Sequence, residues 1–410
     1  MLHYLPGGFR SVDRFKRISK KQIYTGHYWI ILLLAGLLLS SCRISRSTQT
    51  KTDYSKAIDQ GTSILSQAKE EINTPAISVA VGIDDQVVWA AAIGYQNIEN
   101  QIPVDTTTQF RVGSTSKAIT SIALGKLLLE NLVELDDPVQ KYLPFFDPSH
   151  PPITLRQLAA HTSGIRNYKN AEFNSNVEYH SIKESMAVFQ HDSLLFQPGT
   201  KFSYSTYNYT VLSAVIEQAA KTDFLSYMKK VVFIPLNMHH TVGDEKHKQI
   251  SGRAQFYNFY KQDSSFRKAI EVNNSNKWAG GGFLSTPSDL VKLGNAFLNN
   301  TLLDAKTKQL LTTPQKLENG KINSLNYALG WKNDSTLLFQ KSIKVQQLHH
   351  GGSAAGGTSM LILFPAYNLS ISMLINRDGY ASADLLKYIY PLAEAFIKDK
   401  NQAAPVSSVP

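Results

Sequence analysis

The stretch Gln109-Phe110-Arg111-Val112-Gly113-Ser114-Thr115-Ser116-Lys117 carries the reading of this chain. Its first four residues have strand character, and Gly113 punctuates them. After it, Ala118, Ile119, Ile122, Ala123, Leu127 and Leu128 recur at helical spacing, which predicts a helix over 115–130. Ser114 and Lys117 are three apart, so a helix puts both side chains on one face. A lysine kept neutral by burial can take the proton of a serine hydroxyl. The positive end of the helix favours an anion there and disfavours a protonated amine. The spacing alone is common: Ser66/Lys69, Ser226/Lys229 and Ser265/Lys268 share it. Those three lie in more polar runs or loops, where two solvated side chains are the ordinary outcome. Ser114 instead sits between a strand-like run and a strongly apolar helix.

Two later segments bear on the same chemistry. Phe202-Ser203-Tyr204-Ser205-Thr206 follows the turn signal Pro198-Gly199 and precedes a helix predicted from 208. Tyr204 there can point into a cleft and relay protons near a lysine. A packed aromatic is the alternative in so tyrosine-rich a segment. His349-His350-Gly351-Gly352-Ser353 lies at the edge of a predicted strand. Glycines there permit close approach of a ligand to the backbone. The backbone N–H of Ser353 can pair with that of Ser114 to hold an oxyanion. A metal role for the histidines is disfavoured. There is no His-Glu-x-x-His, His239-His240 has no partner four residues on, and His180, His191 and His247 are scattered. The chemistry needs neither a metal nor an organic cofactor.

Working outward, residues 54–71 read as a helix, and 76–83 with 86–93 as a hairpin across Asp84-Asp85. The small residues in the hairpin imply a layer packed closely on the sheet. The middle, 130–340, reads as helices and loops, with helices at 154–160, 208–220, 223–232 and 287–299, the last opened by Thr286-Pro287. Strand character returns at 347–350, 358–364 and 368–375, and a helix closes the chain over 382–399. The fold class expected is α+β: one antiparallel sheet built from both chain ends, flanked by helices, with an inserted mainly helical lobe. The sheet lobe is placed at about 54–113 and 340–400, the helical lobe at about 114–339, and a flexible tail at 401–410. A cleft between the lobes would suit a small molecule.

The N-terminus reads as an export signal. A basic stretch at 10–21 precedes twelve apolar residues at 28–39, fewer than the ~20 a membrane span needs. Ser40-Ser41-Cys42 then resembles a bacterial lipobox. Residues 1–41 are therefore expected to be a lipoprotein signal peptide, Cys42 the lipidated residue, and 42–53 a polar tether. The protein would be exported and anchored to a membrane by lipid, facing the periplasm or the cell exterior. Half of the formal charge of +10 lies in that leader. The rest is spread out and not interleaved with aromatics, so no nucleic-acid partner is expected. Cys42 is the single cysteine, which excludes an internal disulfide or a cysteine-rich zinc site. No feature sets an oligomeric state.

Taken in order, Phe110–Lys117, Leu132–Val139, Ile153–Ile165 (ending Ala160-His161-Thr162-Ser163-Gly164-Ile165), Phe202–Thr206, Ala279–Leu290 and His350–Gly352 resemble the serine beta-lactamase-like and penicillin-binding-protein superfamily. That superfamily includes class C beta-lactamases, D-alanyl-D-alanine carboxypeptidases, esterases and D-aminopeptidases. The branch this chain is most similar to is that of the mitochondrial serine beta-lactamase-like proteins and their bacterial relatives. The resemblance implies a serine hydrolase acting on a small-molecule or peptide substrate. Ser114 would be acylated, Lys117 would activate it and Tyr204 would share proton transfer. His350, Gly351 and Gly352 match a strand triad, usually Lys-Thr-Gly, that binds the far side of the substrate, and the Ser353 N–H would complete the oxyanion hole. Two departures stand out. Thr206 replaces the asparagine of the common Tyr-x-Asn and lacks an amide fork. His350 replaces a lysine, so a partly charged, pH-sensitive hold on a substrate carboxylate is expected. Both favour a peptidase, amidase or esterase over an efficient beta-lactamase. A silent ligand- or partner-binding module is the reading from another class.

Overall fold

The computed structural model describes residues 53–403. The leader, Cys42 and the tether up to residue 52 lie outside the described residues, as do residues 404–410. No helix among the described residues is long and apolar enough to cross a membrane.

Helix α1 (Ser55–Ile72) leads into β1 (Ala76–Ile83), β2 (Gln86–Asn97) and the short β3 (Ile102–Pro103). The chain returns to the same sheet only at β4 (Lys332–Leu338), β5 (Ile343–Ala354), β6 (Gly357–Phe364) and β7 (Leu369–Ile375). The seven strands run in the order β3-β2-β1-β7-β6-β5-β4, every neighbouring pair antiparallel. The join between the two chain ends is β1 against β7, with Ile77 opposite Ile375 and Val79 opposite Met373. The sheet is thus built from both ends of the chain, as the hairpin and the late strand signals require.

Alternation along β1 decides the layers. Ile77, Val79, Val81 and Ile83 join an apolar cluster with α1 and the closing helix (Leu386–Ala403). Ser78, Ala80 and Gly82 face the other way, and their small size is needed there. A Cβ on Gly82 would stand 2.3 Å from Val291 Cγ1 on the helix Pro287–Leu298. That helix starts where Thr286 caps it: the Thr286 hydroxyl accepts the Asp289 N–H at 3.1 Å, with Pro287 in the first turn.

Between the two sheet segments lies the inserted helical lobe. Its centre is α2 (Ser116–Leu129), in which eleven of fourteen residues are buried. A helix apolar nearly all round is enclosed by neighbours rather than laid on a surface. It packs against α3 (Tyr207–Ala220) and the short helix Trp278–Gly281. The insert also carries two small sheets, Phe110–Arg111 with Phe283–Ser285 and Val242–Gly243, and the hairpin Tyr257–Tyr260 with Ser265–Lys268.

Candidate active site

The nucleophile segment is held by backbone. Phe110–Arg111 pairs with Phe283–Ser285, and the chain then turns through Gly113 at φ +49° into one turn of tight helix that opens α2. Gly113 suits that φ. It also admits β5: a Cβ there would lie 2.5 Å from the Ser353 carbonyl oxygen and 2.8 Å from the Ser353 nitrogen. Gly352 answers from the other side, where a Cβ would fall 1.9 Å from the Val112 carbonyl oxygen and 2.9 Å from the Ser114 nitrogen. Two hydroxyls staple the contact: Thr115 Oγ1 donates to the His350 carbonyl at 3.1 Å and Ser359 Oγ donates to the Val112 carbonyl at 2.6 Å.

Lys117 Nζ lies 3.1 Å from Ser114 Oγ, 3.3 Å from Thr206 Oγ1 and 2.6 Å from the Gly280 carbonyl. The side chain is fully buried. No carboxylate pairs with it among the described residues, and burial holds its pKa well below the ordinary lysine value. A neutral amine has two N–H donors and one lone pair. The Gly280 carbonyl and Thr206 Oγ1 take the two donors, which leaves the lone pair for the Ser114 hydroxyl proton. The other three Ser/Lys pairs are placed differently. Ser66 and Ser226 are exposed, and Ser265 and Lys268 lie on a strand.

Tyr204 is fully enclosed, and burial raises its pKa above the ordinary phenol value, with Ser114 acting against that shift. It therefore rests protonated. Its ring centre is 4.9 Å from Lys117 Nζ and 4.2 Å from that of His161. Thr206, two residues on, is anchored by its N–H to Asn167 Oδ1 at 3.0 Å and turned onto Lys117.

His350 differs from the expectation of partial charge. It is buried, and desolvation and then the nearby Lys117 hold its pKa well below the usual imidazole range. Both ring nitrogens are engaged within the protein. Nδ1 donates to the Gly351 carbonyl at 2.8 Å, so Nε2 accepts from the Tyr327 hydroxyl at 2.9 Å. A neutral ring so held offers no cation to a substrate carboxylate.

Two residues of the cluster had no role from sequence. His161 is buried, accepts the Ser205 N–H on Nδ1 at 3.3 Å, and adopts φ +59°. It fixes the segment that carries Tyr204. Its presence in the quoted Ala160–Ile165 stretch was the available signal. Tyr327, remote in sequence, left none.

A serine within hydrogen-bond reach of a desolvated lysine, closed over by a glycine-bearing strand of an antiparallel sheet, is the arrangement of the serine hydrolases that include penicillin-binding proteins and beta-lactamases. The chain belongs to the beta-lactamase family, whose profile matches residues 62–394. It is 30% identical over 399 residues to the mitochondrial serine beta-lactamase-like protein LACTB of Homo sapiens, covering 76% of this chain and 73% of that one. It is 24% identical over 356 residues to Protein flp of Staphylococcus aureus (strain N315), covering 83% and 67%. Among solved structures, the D-amino acid amidase from Ochrobactrum anthropi SV3 shares the fold with a TM-score of 0.71 at 19% identity, over 85% of this chain and 100% of that one.

Proposed function

We propose that this protein is an exported serine hydrolase that works through an acyl-enzyme on Ser114, and that it acts as a peptidase or amidase on small or D-amino-acid peptides. The observation that carries this is the 3.1 Å approach of a buried, carboxylate-free Lys117 to Ser114 Oγ. Lys117 takes the hydroxyl proton as Oγ attacks the carbonyl carbon. The oxyanion sits between the N–H groups of Ser114 and Ser353, which the paired glycines bring together. As the tetrahedral species collapses, the proton passes from Lys117, with Tyr204 as relay, to the leaving amine. Water then adds to the ester, again losing its proton to Lys117, and the acid leaves as Ser114 regains its hydrogen. The neutral, internally bonded His350 supports amide or ester chemistry over capture of a lactam carboxylate. A fold shared with a D-amino acid amidase is consistent with that choice.

The test is intact-mass analysis of the protein from Tyr54 onward after a fluorophosphonate and, separately, a labelled penicillin. One adduct with each reagent, absent from Ser114→Ala, supports the acyl-enzyme and cell-wall peptide chemistry. Fluorophosphonate labelling alone selects an esterase or another peptidase. A folded protein that takes neither adduct overturns the nucleophile and leaves a silent binding module. Lipid on Cys42 is proposed with it. Cys42→Ala is expected to release the protein from the membrane fraction, and unchanged membrane recovery would count against the anchor.

A further inference from the structure

A recess opens beside Ser114, lined also by Thr206, Ser353, Arg111, Asn274 and Lys277. Tyr204 and His350 are not among its walls. Lys277 is only 6% exposed. Its ammonium donates one hydrogen bond, to the Phe173 carbonyl at 2.7 Å, and stands 5.3 Å from the Phe173 ring centre. No carboxylate forms an ion pair with it among the described residues. Burial and the repulsion of Arg111, partly offset by the attraction of Asp244, push its pKa down to about 8, so it remains mostly charged at neutral pH.

Arg111 donates Nε to Asp244 at 2.7 Å and Nη1 to the Ala355 carbonyl at 2.8 Å, and its Nη2 has no hydrogen-bond partner among the described residues. Asp244 is already shared. It accepts Asn274 Nδ2 at 2.8 Å and lies 3.3 Å from Arg253 Nη2. Two guanidinium groups therefore share one carboxylate, and Lys277 is paired with none. Uncompensated charge in a dry place costs stability and marks a place of function. The recess is narrow.

Tyr204 faces the leaving group in the reaction described above, so a recess that excludes Tyr204 receives the acyl half. Resting on that reading, we propose that this recess is an anion-binding acyl pocket, and that the enzyme prefers substrates whose acyl half carries a carboxylate, held by Lys277 Nζ and Arg111 Nη2.

The test compares glutaryl p-nitroanilide with the neutral pentanoyl p-nitroanilide. The glutaryl substrate should have the higher kcat/KM in the wild type. A hydrogen bond between charged groups sets the scale: Lys277→Met should lower glutaryl turnover about 10- to 100-fold and leave pentanoyl turnover within about threefold. Lys277→Arg, which keeps the charge, should retain the preference. Equal losses on both substrates, or no preference in the wild type, overturn the proposal. Binding of glutarate to Ser114→Ala, followed by calorimetry, reads the pocket without the nucleophile, and adding Lys277→Met should abolish it. Lys277-dependent glutarate binding in a protein that no reagent acylates would sink the reaction and keep the pocket. Normal acylation without anion preference would sink the pocket alone.

Discussion

Replacing Lys117 by Met keeps most of the side-chain volume and removes the lone pair that faces Ser114 Oγ at 3.1 Å. A positioned general base contributes about 10²–10⁴-fold, equivalent to about 3–5 kcal/mol of barrier. Stability should respond differently. The Gly280 carbonyl loses its 2.6 Å donor, a cost of about 1–3 kcal/mol, while the desolvated amine disappears. The sign of the pH effect follows from the lowered pKa of Lys117. Below the unfolded lysine value of about 10.4 the unfolded chain takes up a proton that the folded chain refuses. Wild-type stability from this group therefore falls as pH falls, until the folded pKa is reached. The Met variant loses that slope, so its melting temperature relative to wild type should be higher at pH 7 than at pH 10. Phosphonylation of Ser114 by a fluorophosphonate, in which Oγ displaces fluoride from phosphorus, followed by intact mass against time with Ser114→Ala as blank, should slow about 10²–10⁴-fold at every pH. In the wild type the rate should level off below pH 10.4. Phosphonylation of Lys117→Met within tenfold of wild type would refute the assignment of Lys117 as base.

Other outcomes follow from the same geometry. Tyr204→Phe keeps the ring over Lys117 and removes the hydroxyl, so single-turnover acylation should drop about 10²-fold with stability changed by less than about 1 kcal/mol. Gly352→Ala drives a Cβ into the Val112 carbonyl, and denaturant unfolding should show a loss of about 1–3 kcal/mol together with slower acylation. His161 and His350 both have pKa values held well below the ordinary range, so protons favour the unfolded state below about pH 6.5. Melting temperature should therefore fall on acidification from pH 7 toward 5, and His350→Gln should flatten part of that limb.

The sheet and the Ser/Lys pair were legible because each is local. The hairpin at Asp84-Asp85, the apolar helix after Ser114 and the strands from 347 onward announce themselves by periodicity. Strand β4 did not. Its Lys332-Asn333-Asp334-Ser335 run is polar because it is an edge strand, and only Leu338 in it is buried. Two-residue strands such as Phe110–Arg111 contain no period to read. The charge state of His350 was misjudged for a related reason: burial under Tyr327 and beside Lys117 is a tertiary fact that the neighbouring residues do not encode. Lys277 is illegible for the same reason, since its burial without an ion pair among the described residues is set by the fold.

The contact of Gly113 with Ser353, and of Gly352 with Val112, is made by main chain against main chain. The distance between the two N–H groups that would cradle an oxyanion is thus set by main chain, with the Thr115 and Ser359 hydroxyls as staples. Side chains around the recess, from 168 to 206 and from 272 to 277, contribute nothing to that distance. A lineage built on this frame can exchange its acyl preference by point substitution in those segments while the reacting centre stays in place.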